Sequence, residues 1–174
     1  LCAATVDHGL RASSAAEALQ VASAAAKLGI SHDILNWQGW DGQGNLQDQA
    51  RQARYRLLTD WARSLGIQAV ALGHTANDQA ETVLMRLSRS AGVTGIAAMP
   101  VRRVRNGVTL IRPLLDVSRQ RLRDFLTEKN VGWIDDPSNE DTRFGRVRMR
   151  KALELLEPLG LTVESLSGVA ENMG

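Results

Sequence analysis

The sequence predicts an α/β fold built on a parallel sheet, and three observations carry that prediction. Short apolar or β-branched runs alternate with helical patterns as βαβαβα, glycines fall where helices should stop, and two of the strand runs end directly in polar clusters. Strands that alternate with helices need right-handed crossovers, which make the strands parallel and gather ligands at their carboxyl ends.

Leu1 to Val6 (LCAATV) reads as a strand that runs into the turn Asp7-His8-Gly9. Ser13 or Ser14 offers a cap to a helix whose apolar positions Ala16, Leu19, Ala22 and Ala26 recur at helical spacing until Gly29 stops it. Ile30 to Asn36 reads as the second strand, and residues 37–46 (WQGWDGQGNL), with three glycines and two tryptophans, as a loop. An Ala/Arg/Leu pattern from Gln47 to Leu65 predicts a helix ended by Gly66, and Gln68 to Leu72 the third strand. That strand ends at Gly73; His74, Thr75, Asn77 and Asp78 come next, and an apolar-periodic helix opens at once.

Beyond Pro100 the texture changes. Residues 101–111 (VRRVRNGVTLI) hold two short β-type runs around Asn106-Gly107, the strongest short hairpin signal. Arg112-Pro113-Leu114-Leu115 leads into a helix from Ser118 to Lys129, Trp133 to Asn139 is an acidic, turn-rich loop, and the basic segment Arg143 to Lys151 leads a further helix. Residues 153–174 read as a helical linker running out of the domain.

Length and composition bound the function classes. With 174 residues, 44% of them hydrophobic and 23% charged, the chain suits one domain with a core rather than a disordered tail. Cys2 is the single cysteine, so neither an internal disulfide nor a paired-thiol or Cys-x-x-Cys site can form, which fits a reducing, cytoplasmic setting. No apolar run reaches the length of a membrane span, and no membrane partner is expected. The chain opens as if in mid-fold, so further sequence is expected ahead of Leu1. A net charge of +2 is too small to draw the whole molecule onto nucleic acid, so local clusters matter more. Eighteen of the 21 basic residues are arginine, which suits bidentate recognition of phosphate and carboxylate, although genomic base composition explains that bias equally well.

Four constellations stand out, each beside a plainer structural reading. Gly73 to Thr82 places polar groups at a strand end; Thr75 and Asp78 have capping-box spacing, and acids at Asp78 and Glu81 suit the helix dipole. Starting a helix does not in itself require a Gly-His pair followed by Asn-Asp. Asp7-His8-Gly9-Leu10-Arg11 ends the first strand and is either a turn or, if strands one and three are neighbours, part of a nucleotide crevice. Arg51 and Arg54 share a helix face, which points to an anion or to a solvated face. In the basic run Arg143, Arg146 and Arg150 align on a helix, suiting a phosphate-rich partner or again a solvated face.

Taken together these segments resemble the N-terminal catalytic domains of the tRNA(Ile)-lysidine synthetase family, within the PP-loop ATPase superfamily. The resemblance runs from about Val6 to Lys151 and rests on Asp7-His8-Gly9-Leu10-Arg11, Ala50-Arg51 with Arg54-Tyr55, Gly73-His74-Thr75-Ala76-Asn77-Asp78-Gln79-Ala80-Glu81-Thr82, Arg112-Pro113-Leu114-Leu115 and Asp136-Pro137-Ser138-Asn139, in that order. The Gly-His-x-x-x-Asp part is common to the superfamily; the later segments and the arginine run narrow it to the lysidine enzymes. Two departures stand out. The family's Ser-Gly-Gly-x-Asp-Ser loop does not occur in the chain, and where the family has Arg-Asn after the aromatic of the basic run, this chain has Phe144-Gly145-Arg146-Val147.

The resemblance implies a Rossmann-like, adenine nucleotide alpha hydrolase-like sheet with helices on both faces, its first strand missing ahead of Leu1. It implies a catalytic domain over 1–155 and a linker over 156–174 toward further C-terminal domains. The implied reaction adenylates C2 of the wobble cytidine of tRNA(Ile) with a CAU anticodon, using ATP with Mg²⁺, and then lets the ε-amine of L-lysine displace AMP. In that scheme Asp78 is the candidate base, with His74, Arg51, Arg54 and Arg146 as further catalytic groups. Asp7, His8, Gly73 and Asn77 hold the nucleotide, and Arg143, Arg148, Arg150 and Lys151 hold tRNA. No metal ligand set and no oligomeric state is implied, a homodimer being one option. A tRNA thiolase of the same superfamily and a non-catalytic nucleotide- or RNA-binding module remain the alternatives; Cys2 standing alone argues against the thiolase.

Overall fold

The computed structural model describes residues 1–38, 40, 43–134, 141 and 145–173. The chain divides into two compact units: Leu1–Val70 with Val104–Thr109, and Ala71–Arg103 with Leu110–Gly174.

In the first unit β1 (Cys2–Asp7) pairs in parallel with β2 (Ser31–Asn36), Cys2 opposite Ser31 and Asp7 opposite Asn36. The crossover is α1 (Ser14–Lys27), which ends where Gly29 takes φ +68°. That left-handed conformation is open to glycine at little cost and closes the helix where the sequence predicts. α2 (Leu46–Ser64) starts from Asn45, whose side-chain oxygen accepts from the backbone of Gln47 and Asp48. Ala50, Ala53, Leu58 and Ala62 are among its buried positions, mostly small residues at three-, four- and five-residue steps that let the helix lie close to its neighbours.

The second sheet has the order β3-β5-β4, from Ala69–Ala71, Val108–Ile111 and Arg102–Arg105. Thr109 N–H bonds to Gln68 O and Leu72 N–H to Ile111 O, bonds that climb both strands together, so β3 and β5 run parallel. β4 and β5 form the expected hairpin: Asn106 and Gly107 are its two loop residues, at φ +50° and +78°, the primed turn that matches strand twist. Val108 and Leu110, on the same face of β5, are each 1% exposed. β1 is bonded to β2 and β3 to β5, so the adjacency of strands one and three, which a single shared crevice would require, is not among the pairings of the described residues.

The second unit is helical around α3 (Ala76–Leu87), with α4 (Val93–Ile96), α5 (Arg119–Glu128), α6 (Gly145–Leu156), a 3₁₀ turn at Glu157–Leu159 and α7 (Val163–Asn172). Ala80, Val83, Ala98, Leu153, Leu166 and Ala170 form its buried core. The residues expected as a linker are thus folded onto α3 in part: Leu166 and Ala170, four apart, present an apolar stripe, and Ser167 Oγ donates to Ala76 O at 3.0 Å. No described helix is long and apolar enough to cross a membrane.

Candidate functional site

In the second unit a cluster of carboxylates and guanidiniums grows out of the α3 N-terminus. The chain leaves β3 through Gly73 and His74, and Thr75, bridged to Leu114, caps α3. Asp78 closes the capping box: its Oδ2 accepts from Thr75 N–H at 2.9 Å and from the Thr75 hydroxyl at 2.8 Å. Its other oxygen, Oδ1, accepts from Arg146 Nη1 at 3.2 Å. Asn77 turns the other way, its Oδ1 accepting from Arg119 N–H at 2.7 Å at the start of α5.

Glu81, one turn beyond Asp78, is 1% exposed. A carboxylate buried this deeply needs counter-charges, and α6 supplies them. Arg150 Nε and Nη2 both lie 3.1 Å from Oε1, Arg146 Nη1 lies 3.8 Å from Oε2, and Arg119 Nη2 lies 3.8 Å from Oε1. Residues 146 and 150, four apart on α6, thereby meet 78 and 81, three apart on α3.

The two acids are driven in opposite directions. Burial raises the Asp78 carboxyl, but the Thr75 backbone and hydroxyl bonds and the Arg146 and Arg119 charges outweigh it and hold the pKa below 3.8. For Glu81 burial prevails, reinforced by the Asp78 charge and only partly offset by Arg150 and Arg119, so its pKa is raised above 4.5.

In the first unit the carboxyl end of β1 carries a second cluster. Asp7 Oδ1 accepts from Gly9 N–H at 2.8 Å, a bond that, with Ser14 and His8, keeps the carboxyl ionised. His8 Nε2 receives Arg54 Nε at 3.3 Å, and the ring meets Trp37 edge-on at 5.7 Å. Burial and then the Arg54 charge lower the pKa of His8 below 6.5, against the pull of Asp7, so the ring is neutral at pH 7. Arg51, one turn away on α2, and Arg105, at the end of β4, sit 5.2 and 4.9 Å from the ring centre of the buried Tyr55. The two cations converging on one ring suit a polyanion.

The expected residues therefore fall into two groups. Asn77, Asp78 and Arg146 come together in one unit, with Gly73 and His74 on the strand-to-helix connection that leads to them; Asp7, His8 and Arg54 come together in the other, with Arg51 a turn away. Of the basic residues expected on α6, Arg146 and Arg150 pair with Asp78 and Glu81 on α3, while Arg148 and Lys151 stand exposed. Arg143 and the Asp136-Pro137-Ser138-Asn139 segment lie outside the described residues. Sequence alone makes Glu81 a helix-dipole acid and gives Arg119 and Arg105 no part. Only the i+3 step from Asp78 hints at Glu81, since its main partner is 69 residues away.

A family model described as a PP-loop domain matches residues 1–156. The chain belongs to the PP-loop family. The tRNA(Ile)-lysidine synthase of Ruegeria pomeroyi is 59% identical over 99% of this chain and 41% of its own length, and that of Bradyrhizobium diazoefficiens is 45% identical over 99% and 48%. The chain therefore spans under half the length of these two relatives. Among solved structures, the U34-tRNA thiolase NcsA from Methanococcus maripaludis with its [4Fe-4S] cluster superposes with a TM-score of 0.81 at 17% identity, covering 99% of this chain and 62% of that one. That likeness establishes the fold alone. The α/β expectation and the family resemblance are both borne out. Among the described residues of this PP-loop domain, no group of three or more His, Cys, Asp and Glu is placed to hold a metal ion.

Proposed function

We propose that this PP-loop domain serves in ATP-dependent attachment of lysine to C2 of the wobble cytidine of tRNA(Ile) with a CAU anticodon, in the cytoplasm. The observation that carries the reading is the 59% identity to a tRNA(Ile)-lysidine synthase across 99% of the chain. In the first step the C2 oxygen attacks the α-phosphorus of ATP and pyrophosphate leaves. In the second the ε-amine of lysine, having lost a proton, attacks C2 and AMP leaves with the oxygen. Mg²⁺ accompanies the triphosphate in this reading, as it does wherever few protein ligands and several phosphates share the ion. Residues 1–155 form the catalytic domain and 156–174 the connection toward further C-terminal domains.

The roles rest on the geometry. Arg54, on His8 at a strand end, and Arg51 a turn away on α2 suit the phosphates, where charge develops in the first step. Arg146 is the second candidate for that charge. The resemblance casts Asp78 as the group that takes the proton from lysine. A carboxyl held below its ordinary pKa by three hydrogen bonds is a poor acceptor from an ammonium whose reference pKa is about 10.4. It is better suited to fixing Arg146 and the start of α3, with His74 and Asn77 beside it positioning substrate. Arg148 and Lys151, exposed on α6, are assigned to tRNA together with Arg143; Arg150 acts through Glu81.

Asp78→Ala in the full-length protein tests this division. The variant is expected to stay folded, with about 1 kcal/mol lost for the cap, and to lose lysine transfer at least a hundredfold, as measured by incorporation of labelled lysine into a tRNA(Ile) transcript. Transfer at the wild-type rate would reduce Asp78 to a helix cap.

A further inference from the structure

Helix α5 buries none of its ten residues, and one side of it is chemically ordered. Arg121, Phe125 and Lys129 stand four residues apart, so they follow one another along one side of the helix, each about 6 Å further along the axis. All three are exposed, Phe125 at 54%. A phenylalanine with half its surface in water adds little to the core, and leucine or alanine would serve the helix better. Lys129, at the C-cap, carries its Nζ over the Phe125 ring, 5.7 Å from the ring centre.

The charges favour an anionic partner. Residues 119–129 hold four cations against Asp124 and Glu128, and Asp124 accepts from Gln120 Nε2 at 2.8 Å on another side of the helix. Neither Arg121 nor Lys129 is in an ion pair among the described residues. Trp133, with Arg123 Cζ 5.7 Å from its ring centre, lies outside the strip, since residues 123 and 125 point to nearly opposite sides of α5. A stable protein contact needs roughly 800 Å² on each partner, which one ring between two solvated charges does not supply. A single nucleic-acid strand needs much less: a base stacks on the ring, and the phosphates on its two sides meet cations about 12 Å apart along the axis.

We infer that Arg121, Phe125 and Lys129 form a stacking platform for an unpaired nucleotide of the RNA substrate, its base on Phe125 and its flanking phosphates on Arg121 and Lys129. The inference rests on the proposed tRNA reaction and adds to it a recognition surface whose residues take no part in the α3 and α6 cluster. Sequence-specific proteins grip RNA at such unstacked loop bases, where an aromatic face is free to replace the neighbouring base.

Fluorescence anisotropy of a dye-labelled tRNA(Ile) transcript with the full-length protein, over a series of salt concentrations, tests the platform. Phe125→Leu keeps an apolar side chain but loses the ring, and should weaken binding about tenfold with the salt dependence unchanged. Phe125→Trp, with a larger π face, should bind at least as tightly as the wild type. Arg121→Ala and Lys129→Ala should each flatten the slope of log Kd against log salt by about 0.7. In tRNA labelling, Phe125→Leu should raise the tRNA KM about tenfold, while kcat and the KM for ATP and lysine move less than twofold. Affinity kept by tryptophan and lost by leucine separates a missing stack from a damaged fold. Wild-type binding by Phe125→Leu would overturn the inference and leave the proposed reaction untouched. Loss of self-association in sedimentation, with RNA affinity unchanged, would equally overturn it and make the strip a contact between copies. Because binding is read without turnover, a wild type that holds tRNA through this strip yet makes no lysidine sinks the reaction and leaves the platform standing.

Discussion

Two carboxyls three residues apart on one helix end with opposite acidities: burial raises both, and only at Asp78 do hydrogen bonds and guanidinium charges outweigh it. Asp78 receives three donors and stays ionised; Glu81 has the strong contact of Arg150 on one oxygen only. The consequences for stability have opposite signs. With its folded pKa lowered, Asp78 stabilises the native state above about pH 4, and that contribution is lost as pH falls through the folded value. Glu81, raised, does the reverse: its contribution is present below about pH 4.5 and lost as pH rises. His8 gives the more accessible measurement. Its lowered pKa means that the unfolded chain takes up the proton first, so stability present above pH 6.5 declines as pH falls through the folded value. An NMR titration should place the His8 transition below 6.5, and Arg54→Ala should raise it while burial keeps it under the free value. A transition at or above 6.5 in the native protein would contradict the neutral ring.

At the scale of elements, local chemistry and distant contacts contribute differently. The hairpin is legible because Asn106-Gly107 demands a positive φ at both positions, a property of two adjacent residues. A Cβ at Gly107 meets no neighbour within 4 Å, so the cost of Gly107→Ala is the backbone's alone, about 1–2 kcal/mol by denaturant unfolding; a cost under a few tenths would mean that the turn is not held. The strand-turn-helix at Gly73 is legible for the same reason. What the sequence conceals are α4, the burial of Glu81 and the docking of α7. α4 is one turn of four residues, too short to show a helical period, whereas the other two depend on partners distant in the chain, and a short amphipathic stretch such as residues 163–172 reads as readily as linker as it does as packed helix. Leu166 of α7, 4% exposed in the core it shares with Ala80 and Val83 of α3, decides between them. Leu166→Ala should cost about 2–5 kcal/mol, as truncation of a core leucine does, whereas a loosely tethered helix would lose well under 1 kcal/mol by the same measurement.

For the whole molecule, the chain supplies two strand-end clusters of different character: a guanidinium-rich one beside Asp7 and His8, and a carboxylate–guanidinium network on α3 and α6. The lysidine reading is legible from motifs such as Gly73-His74-Thr75 and Arg112-Pro113-Leu114-Leu115, whose order along the chain survives without any structure. The site's inner partners are not, because pairing Arg150 with Glu81 is a decision of the fold. The most direct measurement is nucleoside mass spectrometry of tRNA(Ile) with a CAU anticodon after incubation with full-length protein, ATP and L-lysine. The account predicts that position 34 gains one lysine less one water, only when ATP is present. An unmodified cytidine there, or a gain of sulfur in place of lysine, would contradict it.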